Sequence, residues 1–334
     1  MKSRTKNHLD EATIRTLVRE QFGRECRVTG ITELEGGMFN AIYRIKCTAF
    51  DRDIVLKVGV RPGIPLLTYE RDIMPVEVEA YRLISERTTV PVPQVLAHDF
   101  SKTLIDANYF FMTALDGVPL SKASRRMSPE NLAQVKVKLA EYLVQLHGIT
   151  NTYFGYPTDD PTLRYATWHE AFLGMFEQLL RDARDHGIRL PFLSIERALE
   201  RHGDLLDALE RPCLVDFDCH EGNVFVRRSG AGYAIEGILD FERMFWGDPI
   251  ADFPTAFVFC DDIREEPDFL KGFLAASGRR EFARDDDRRY QLYRLYIATI
   301  MAAETFRYDR MYGTAQRIWA TAQVRKCLSN LDAR

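Results

Sequence analysis

Residues 214–242 read LVDFDCHEGNVFVRRSGAGYAIEGILDFE, and this stretch decides the fold. Two apolar, β-branched runs, residues 223–226 and 234–239, flank a turn containing Ser229, Gly230 and Gly232. That pattern predicts a β-hairpin. Its polar residues gather at the ends of the runs: Asp218 and Asn223 before the first, Asp240 and Glu242 after the second. Closing the hairpin brings Asn223 and Asp240 together, with Asp218 just ahead on the approach. Two oxygen donors of this kind suit Mg²⁺, which takes one or two carboxylates plus substrate phosphates. A third carboxylate nearby could receive a hydroxyl proton. The arrangement implies phosphoryl transfer from a nucleotide, so the rest of the chain should supply a nucleotide site.

Upstream, Asp10 followed by EATIRTLVREQFG predicts a capped amphipathic helix, with Ile14, Leu17, Val18 and Phe22 on one face. Residues 27–34, 41–47 and 53–58 predict three strands. Between the first two lies Glu35-Gly36-Gly37-Met38-Phe39-Asn40, where glycine lets backbone N–H groups approach phosphates closely. A glycine pair between strands is also an ordinary hairpin turn. Lys57 lies among Ile54, Val55, Leu56 and Val58. A strand lysine usually points to solvent. Opposite a glycine turn on the adjacent strand, however, it can reach α- and β-phosphates. Residues 74–86 predict a helix with Pro75 in its first turn. Glu77 or Glu79 of that helix could turn inward toward Lys57.

Residues 95–99 and 109–114 predict two more strands, the second ending at Leu115-Asp116-Gly117. Helices follow at 128–147, 168–186, 195–209, 269–276, 290–307 and 314–331. The order predicts an α+β, two-lobed chain: a nucleotide lobe over residues 1–113, its hinge beginning near residue 112, and a catalytic lobe over 114–334. Ligands of such an arrangement are expected in the cleft between lobes.

The 334 residues suffice for two lobes. Hydrophobic residues make up 46% and charged residues 28%, the balance of a soluble globular protein. A net charge of -4 gives no reason to expect nucleic acid or a membrane surface as partner, and permits a cationic substrate. The N-terminus has no apolar signal segment, and six scattered cysteines form no CxxC pair. Reduced thiols in a cytoplasmic protein are the expectation.

The pairing of Asp218-Cys-His-Glu-Gly-Asn223 with Ile238-Leu-Asp240-Phe-Glu242, followed by Gly247-Asp248-Pro249 and Asp252, resembles the aminoglycoside phosphotransferase / choline kinase-like family. These are small-molecule kinases with a bilobal protein-kinase-like fold. Their catalytic motif is His-Gly-Asp-x-x-x-x-Asn and their metal motif Asp-Phe/Trp-Glu. The resemblance covers most of the chain, from the glycine turn to Asp252. It implies ATP and Mg²⁺ as cofactors. It makes Asp218 the residue that orients, and could deprotonate, the acceptor hydroxyl, and Asn223 and Asp240 the metal ligands. Lys57 would hold the α- and β-phosphates, paired with Glu79, which precedes Ala80 in the family's usual Glu-Ala. Met112, Thr113 and Leu115 would bind adenine through their backbone, and Gly36, Gly37, Met38, Phe39 and Asn40 would cover the phosphates. This is the part list of phosphoryl transfer.

The sequence departs from the motif at its first residue: Asp216 stands where the family has histidine. If Asp216 and Asp218 lie close and poorly solvated, one pKa should rise. His220 reads as a loop-packing residue, Glu242 as a metal assistant or a loop brace, and Asp248 and Asp252 as anchors of the following helix. The resemblance places acceptor selection in the C-terminal helices and in acidic residues near the cleft, with Asp261, Asp262, Glu265, Glu266 and Glu304 as candidates and Glu304 singled out because it interrupts an apolar helical run. The leading expectation is a kinase that phosphorylates a hydroxyl of an aminoglycoside-type antibiotic, conferring resistance. The alternatives are a metabolic kinase for choline, homoserine, a methylthio-sugar or a fructosamine, and a non-catalytic nucleotide-binding pseudokinase. ATP and GTP are not distinguished by these residues, nor is oligomeric state.

Overall fold

A computed structural model describes residues 5–34, 37, 39–258 and 260–333. The chain divides into two compact units. The first consists of Met1–Pro65, Pro93–Asp116 and Arg307–Asp309; the second of Leu66–Val92, Gly117–Phe306 and Arg310–Arg334.

In the first unit, helix α1 (Glu11–Phe22) starts where the Asp10 carboxylate accepts from the Thr13 N–H at 2.7 Å. It ends at Gly23, whose φ of 84° a side chain would resist. Strands β1 (Val28–Glu33), β2 (Ala41–Cys47), β3 (Ile54–Val58), β4 (Val95–Asp99) and β5 (Tyr109–Thr113) form one sheet in the order β1-β2-β3-β5-β4. Every neighbouring pair is antiparallel. Strand β2 alternates: Ala41, Tyr43, Ile45 and Cys47 are buried against Ile14, Leu17 and Val18 of the helix side. Strand β3 is central and buried along its whole length. Its Lys57, paired in register with Ile42 and Phe110, is therefore buried rather than solvated.

The second unit opens with α2 (Ile73–Arg87), then β6 (Val118–Pro119), α3 (Leu120–Ala123), α4 (Pro129–His147), α5 (Trp168–Asp185) and α6 (Phe192–His202). Strands β7 (Cys213–Val215), β8 (Val224–Ser229), β9 (Gly232–Ile238) and β10 (Phe245–Gly247) follow, then α7 (Phe253–Ala256), α8 (Pro267–Ser277), α9 (Arg284–Ala303) and α10 (Arg310–Ala333). Ser128 and Thr167 cap α4 and α5 by accepting from Asn131 and Glu170 N–H groups. An aromatic core of Trp168, Phe172, Phe176, Phe217, Phe245, Tyr293 and Tyr296 fills the space around them.

The sheet of the first unit and the mainly helical second unit match the architecture expected from the sequence. The division of the chain differs from the simple cut near residue 113, because α2 groups with the second unit. Tyr81 of α2 packs edge-on to Phe241 at 5.6 Å, and its hydroxyl accepts from the Asp240 N–H at 3.1 Å. The expected helix at 290–307 is also split. Helix α9 begins six residues earlier than expected, at Arg284, and ends at Ala303, followed by a 3-10 turn over Glu304–Arg307. Among the described residues no helix is long and apolar enough to cross a membrane.

Candidate active site

The hairpin forms as the sequence implies. Strands β8 and β9 pair from Val224↔Ile238 to Ser229↔Gly232, and Gly230 turns the chain at φ 59°. The Leu239 N–H donates to the Asn223 carbonyl at 2.9 Å, which extends the ladder past the strands and sets Asn223 beside Asp240. Asp240 itself sits in the left-handed region, φ 71° and ψ 51°. An aspartate tolerates this conformation better than a branched residue does, and strain of this kind concentrates at functional sites.

Asp218 stands on the loop between β7 and β8. The Asn223 side-chain amide donates to the Asp218 carbonyl at 2.9 Å, and the His220 N–H donates to it at 2.8 Å. The loop is further held through Phe217, a fully buried residue at φ 57°. Its N–H donates to Asp252 Oδ1 at 2.8 Å, and Asp252 Oδ2 lies 2.7 Å from His147 Nε2. Asp252 thus braces the loop that carries Asp218, a larger part than anchoring a helix. Asp248 plays the anchoring part: it caps Ile250 and accepts from the Tyr293 hydroxyl at 2.7 Å. Next to it, a Cβ on Gly247 would meet Trp168 at 2.6 Å, so only glycine fits.

Three carboxylates lie close together beside the end of the hairpin. The oxygens of Glu77, Asp240 and Glu242 all lie within 4.8 Å of one another, with Glu77 and Glu242 buried. The donor set is all oxygen, which fits Mg²⁺. Asn223, whose NH₂ donates to the Asp218 carbonyl, has an amide oxygen that could add to such a donor set.

Glu79 does not turn inward. It is exposed and forks onto Arg82 at 2.6 and 2.9 Å. Glu77 is the buried glutamate of α2, and its Oε1 accepts from the Tyr81 hydroxyl at 3.0 Å. The helical spacing explains the correction. Glu77 shares its face with Tyr81 and Ile84, four and seven residues on, whereas Glu79 falls on the Arg82 side. The apolar face itself was the signal that should have selected Glu77.

Glu304 is buried at the end of α9. Its Oε1 accepts from Gln316 at 2.8 Å, and its Oε2 lies 3.5 Å from Arg243. Arg243 Nε in turn lies 3.8 Å from Asp218 Oδ2. Arg243 was missed in the sequence although it directly follows Asp-Phe-Glu. Burial pushes Asp218 up to about 8; Arg243 opposes the shift, while Asp240, Glu242 and Glu304 add to it. Asp216 is fully buried, and among the described residues neither of its oxygens has an N–H or O–H donor; its polar neighbour is the Cys219 thiol. Burial first, then Asp252 and Asp218, push its carboxyl well above the usual carboxylate range. His220 packs in the loop, its Nδ1 accepting from the Gly222 N–H at 2.9 Å.

In the first unit, Gly36 and Met38 lie outside the described residues, while Gly37, Phe39 and Asn40 lead into β2. The Arg307 guanidinium sits over the Phe39 ring at 5.1 Å. Met112 and Thr113 close strand β5. The Thr113 N–H is committed to the Gln94 carbonyl and that of Ala114 to Asp53, while the Leu115 carbonyl accepts from Arg44 at 3.4 Å.

Residues 30–293 match the model of the phosphotransferase enzyme family known as APH. The chain belongs to that family, the aminoglycoside phosphotransferase and choline kinase-like group, and is an enzyme that transfers phosphoryl groups to small-molecule hydroxyls. No curated protein matches it. Solved structures share its protein-kinase-like fold. Aminoglycoside phosphotransferase APH(4)-Ia, in a ternary complex with AMP-PNP and hygromycin B, is 16% identical with a TM-score of 0.63, over 95% of this chain and 98% of that one. APH(2'')-IIa, in a streptomycin–ATP ternary complex, is 16% identical with a TM-score of 0.59, over 95% and 99%.

Proposed function

We propose that this enzyme moves the γ-phosphate of ATP, with Mg²⁺, to a hydroxyl of a small molecule in the cytoplasm. The observation that carries the reading is the β8–β9 hairpin, which sets Asn223 beside Asp240 while the same asparagine holds the Asp218 loop. Bound Mg²⁺ would neutralise the nucleotide's phosphates and the charge developing on the leaving oxygen. Asn223 and Asp240 would hold it, with Glu77 and Glu242 beside them. Asp218 orients the acceptor hydroxyl and takes its proton. The acceptor oxygen forms a bond to the γ-phosphorus as the bond to the β-phosphate oxygen breaks. Burial makes Asp218 a stronger base than an exposed carboxylate, and Arg243 stabilises its ionised form. Lys57, buried on β3, would carry the α- and β-phosphates, with Gly37, Phe39 and Asn40 over them and the 112–115 backbone at adenine.

Relatives of the same fold bind hygromycin B and streptomycin, which supports an aminoglycoside-type acceptor and a role in resistance. One observation favours the metabolic reading instead. Glu304, the acid assigned to a cationic acceptor, is already engaged by Arg243 and Gln316. A neutral polyol or singly charged alcohol asks less of that wall than a polycationic aminosugar does. A panel of aminoglycosides, choline, homoserine and sugars, read by mass for added phosphate, separates the two. Nucleotide binding with neither acceptor phosphorylation nor slow ATP hydrolysis would overturn the enzyme reading.

A further inference from the structure

Away from the catalytic loop, the second unit carries a cavity of about 500 Å³ between residues 187–189 and helix α10. Arg189, Arg317 and Arg325 line it, together with Ile318, Thr321 and Ala322. All three arginines are exposed, and among the described residues none of them makes an ion pair or hydrogen bond through its side chain. Their neighbours behave differently. Arg184 is paired with Glu196 at 2.5 Å, and Arg201 with Asp332 at 2.5 Å. The chain has more acids than bases, 49 against 45, so three uncompensated guanidiniums around one cavity are not a consequence of overall composition.

We infer that this cavity is a second ligand site, separate from the catalytic centre, for a small molecule bearing two or more phosphate groups. Guanidinium forks match phosphate oxygens in pairs, and three of them without acids beside them favour a ligand of high negative charge. Arg317 and Arg325 lie eight residues apart on α10, a rise of about 12 Å along its axis. A single phosphate reaches one of them comfortably; a diphosphate or a longer polyphosphate spans the space between. Ile318, two-thirds exposed, and Ala322 give the ligand's body an apolar wall between the charged heads. Both lie on the same unit as the arginines, so the site is complete within it.

Phenylglyoxal labelling with peptide mapping of the full chain tests the site arginine by arginine, with inorganic pyrophosphate as the probe. Pyrophosphate should slow labelling of Arg189, Arg317 and Arg325 by about tenfold, the size expected of a charge-assisted contact, and leave exposed Arg125 and Arg280 unchanged. Inorganic phosphate should protect the three less than pyrophosphate does. In Arg317→Gln/Arg325→Gln, a helix-compatible surface change, pyrophosphate should no longer protect Arg189. Equal slowing at the control arginines, equal protection by phosphate, or protection of Arg189 surviving in the double variant would each overturn the site.

Discussion

The hairpin platform and the five-stranded sheet place functional residues by different means. In the sheet, Lys57 is located by register: β3 is central, and backbone pairing to β2 and β5 fixes where the side chain emerges. Around the hairpin, backbone pairing ends at Leu239, and from there side chains take over. Asp218, Phe217 and Asp240 depend on Asn223, Asp252 and Tyr81 respectively. Two of the three, Phe217 and Asp240, hold left-handed backbone conformations. Register tolerates single substitutions because every strand residue shares in it. A platform held by individual buried hydrogen bonds fails when one is removed.

That contrast can be broken most forcefully at Asp240, the proposed metal ligand. Asp240→Ala should lower transfer on the order of 10³-fold, the scale of losing one pre-organised electrostatic group. Phe39→Ala, on the turn leading into β2, should instead act mainly on the KM for ATP. Steady-state kinetics with varied ATP separates the two. Next in size, Asp252→Ala strips Phe217 and His147 of their common acceptor. It should cost about 3 kcal/mol in denaturant unfolding, as breaking a buried pair does, with a fall in kcat.

The two glutamates of α2 sharpen the same point. Glu77→Ala should lower both Tm and kcat, because Tyr81 loses its acceptor and the proposed Mg²⁺ site one carboxylate. Glu79→Ala should change neither measurably, since its partner Arg82 keeps Glu86. At Asp216 the effect is one of pH. Its folded-state pKa is raised, so the folded chain keeps a proton that the unfolded chain releases above about pH 4. Wild-type stability therefore falls as pH rises from there toward the folded-state value. Asp216→Asn has no proton to lose, so its Tm advantage over wild type should grow from pH 4 to 8 in thermal scans.

The elements were legible where a single periodicity governed them: the alternation of β2, the capped helices α1 and α4, and the hairpin with its turn. The grouping of Asp218, Asn223 and Asp240 was legible because their spacing is dictated by a closed hairpin. What could not be read were contacts between residues far apart in sequence. Asp252 with Phe217, Glu304 with Arg243, and α2 with Asp240 depend on which helix packs where, and no local pattern encodes that. Glu77 is a different case. Its place on the apolar face of α2 was visible, and a familiar dipeptide at Glu79 outweighed it.

The central claim is that Asp218 serves the transfer step on a platform that holds nucleotide independently of it. The most direct measurement compares Asp218→Asn with wild type for Mg²⁺–nucleotide affinity by calorimetry and for acceptor phosphorylation by mass. The account predicts unchanged affinity and a loss of transfer on the order of 10²–10⁴-fold, the contribution of a positioned general base. Transfer at the wild-type rate, or a loss of nucleotide binding that accounts for all of the lost activity, would contradict it.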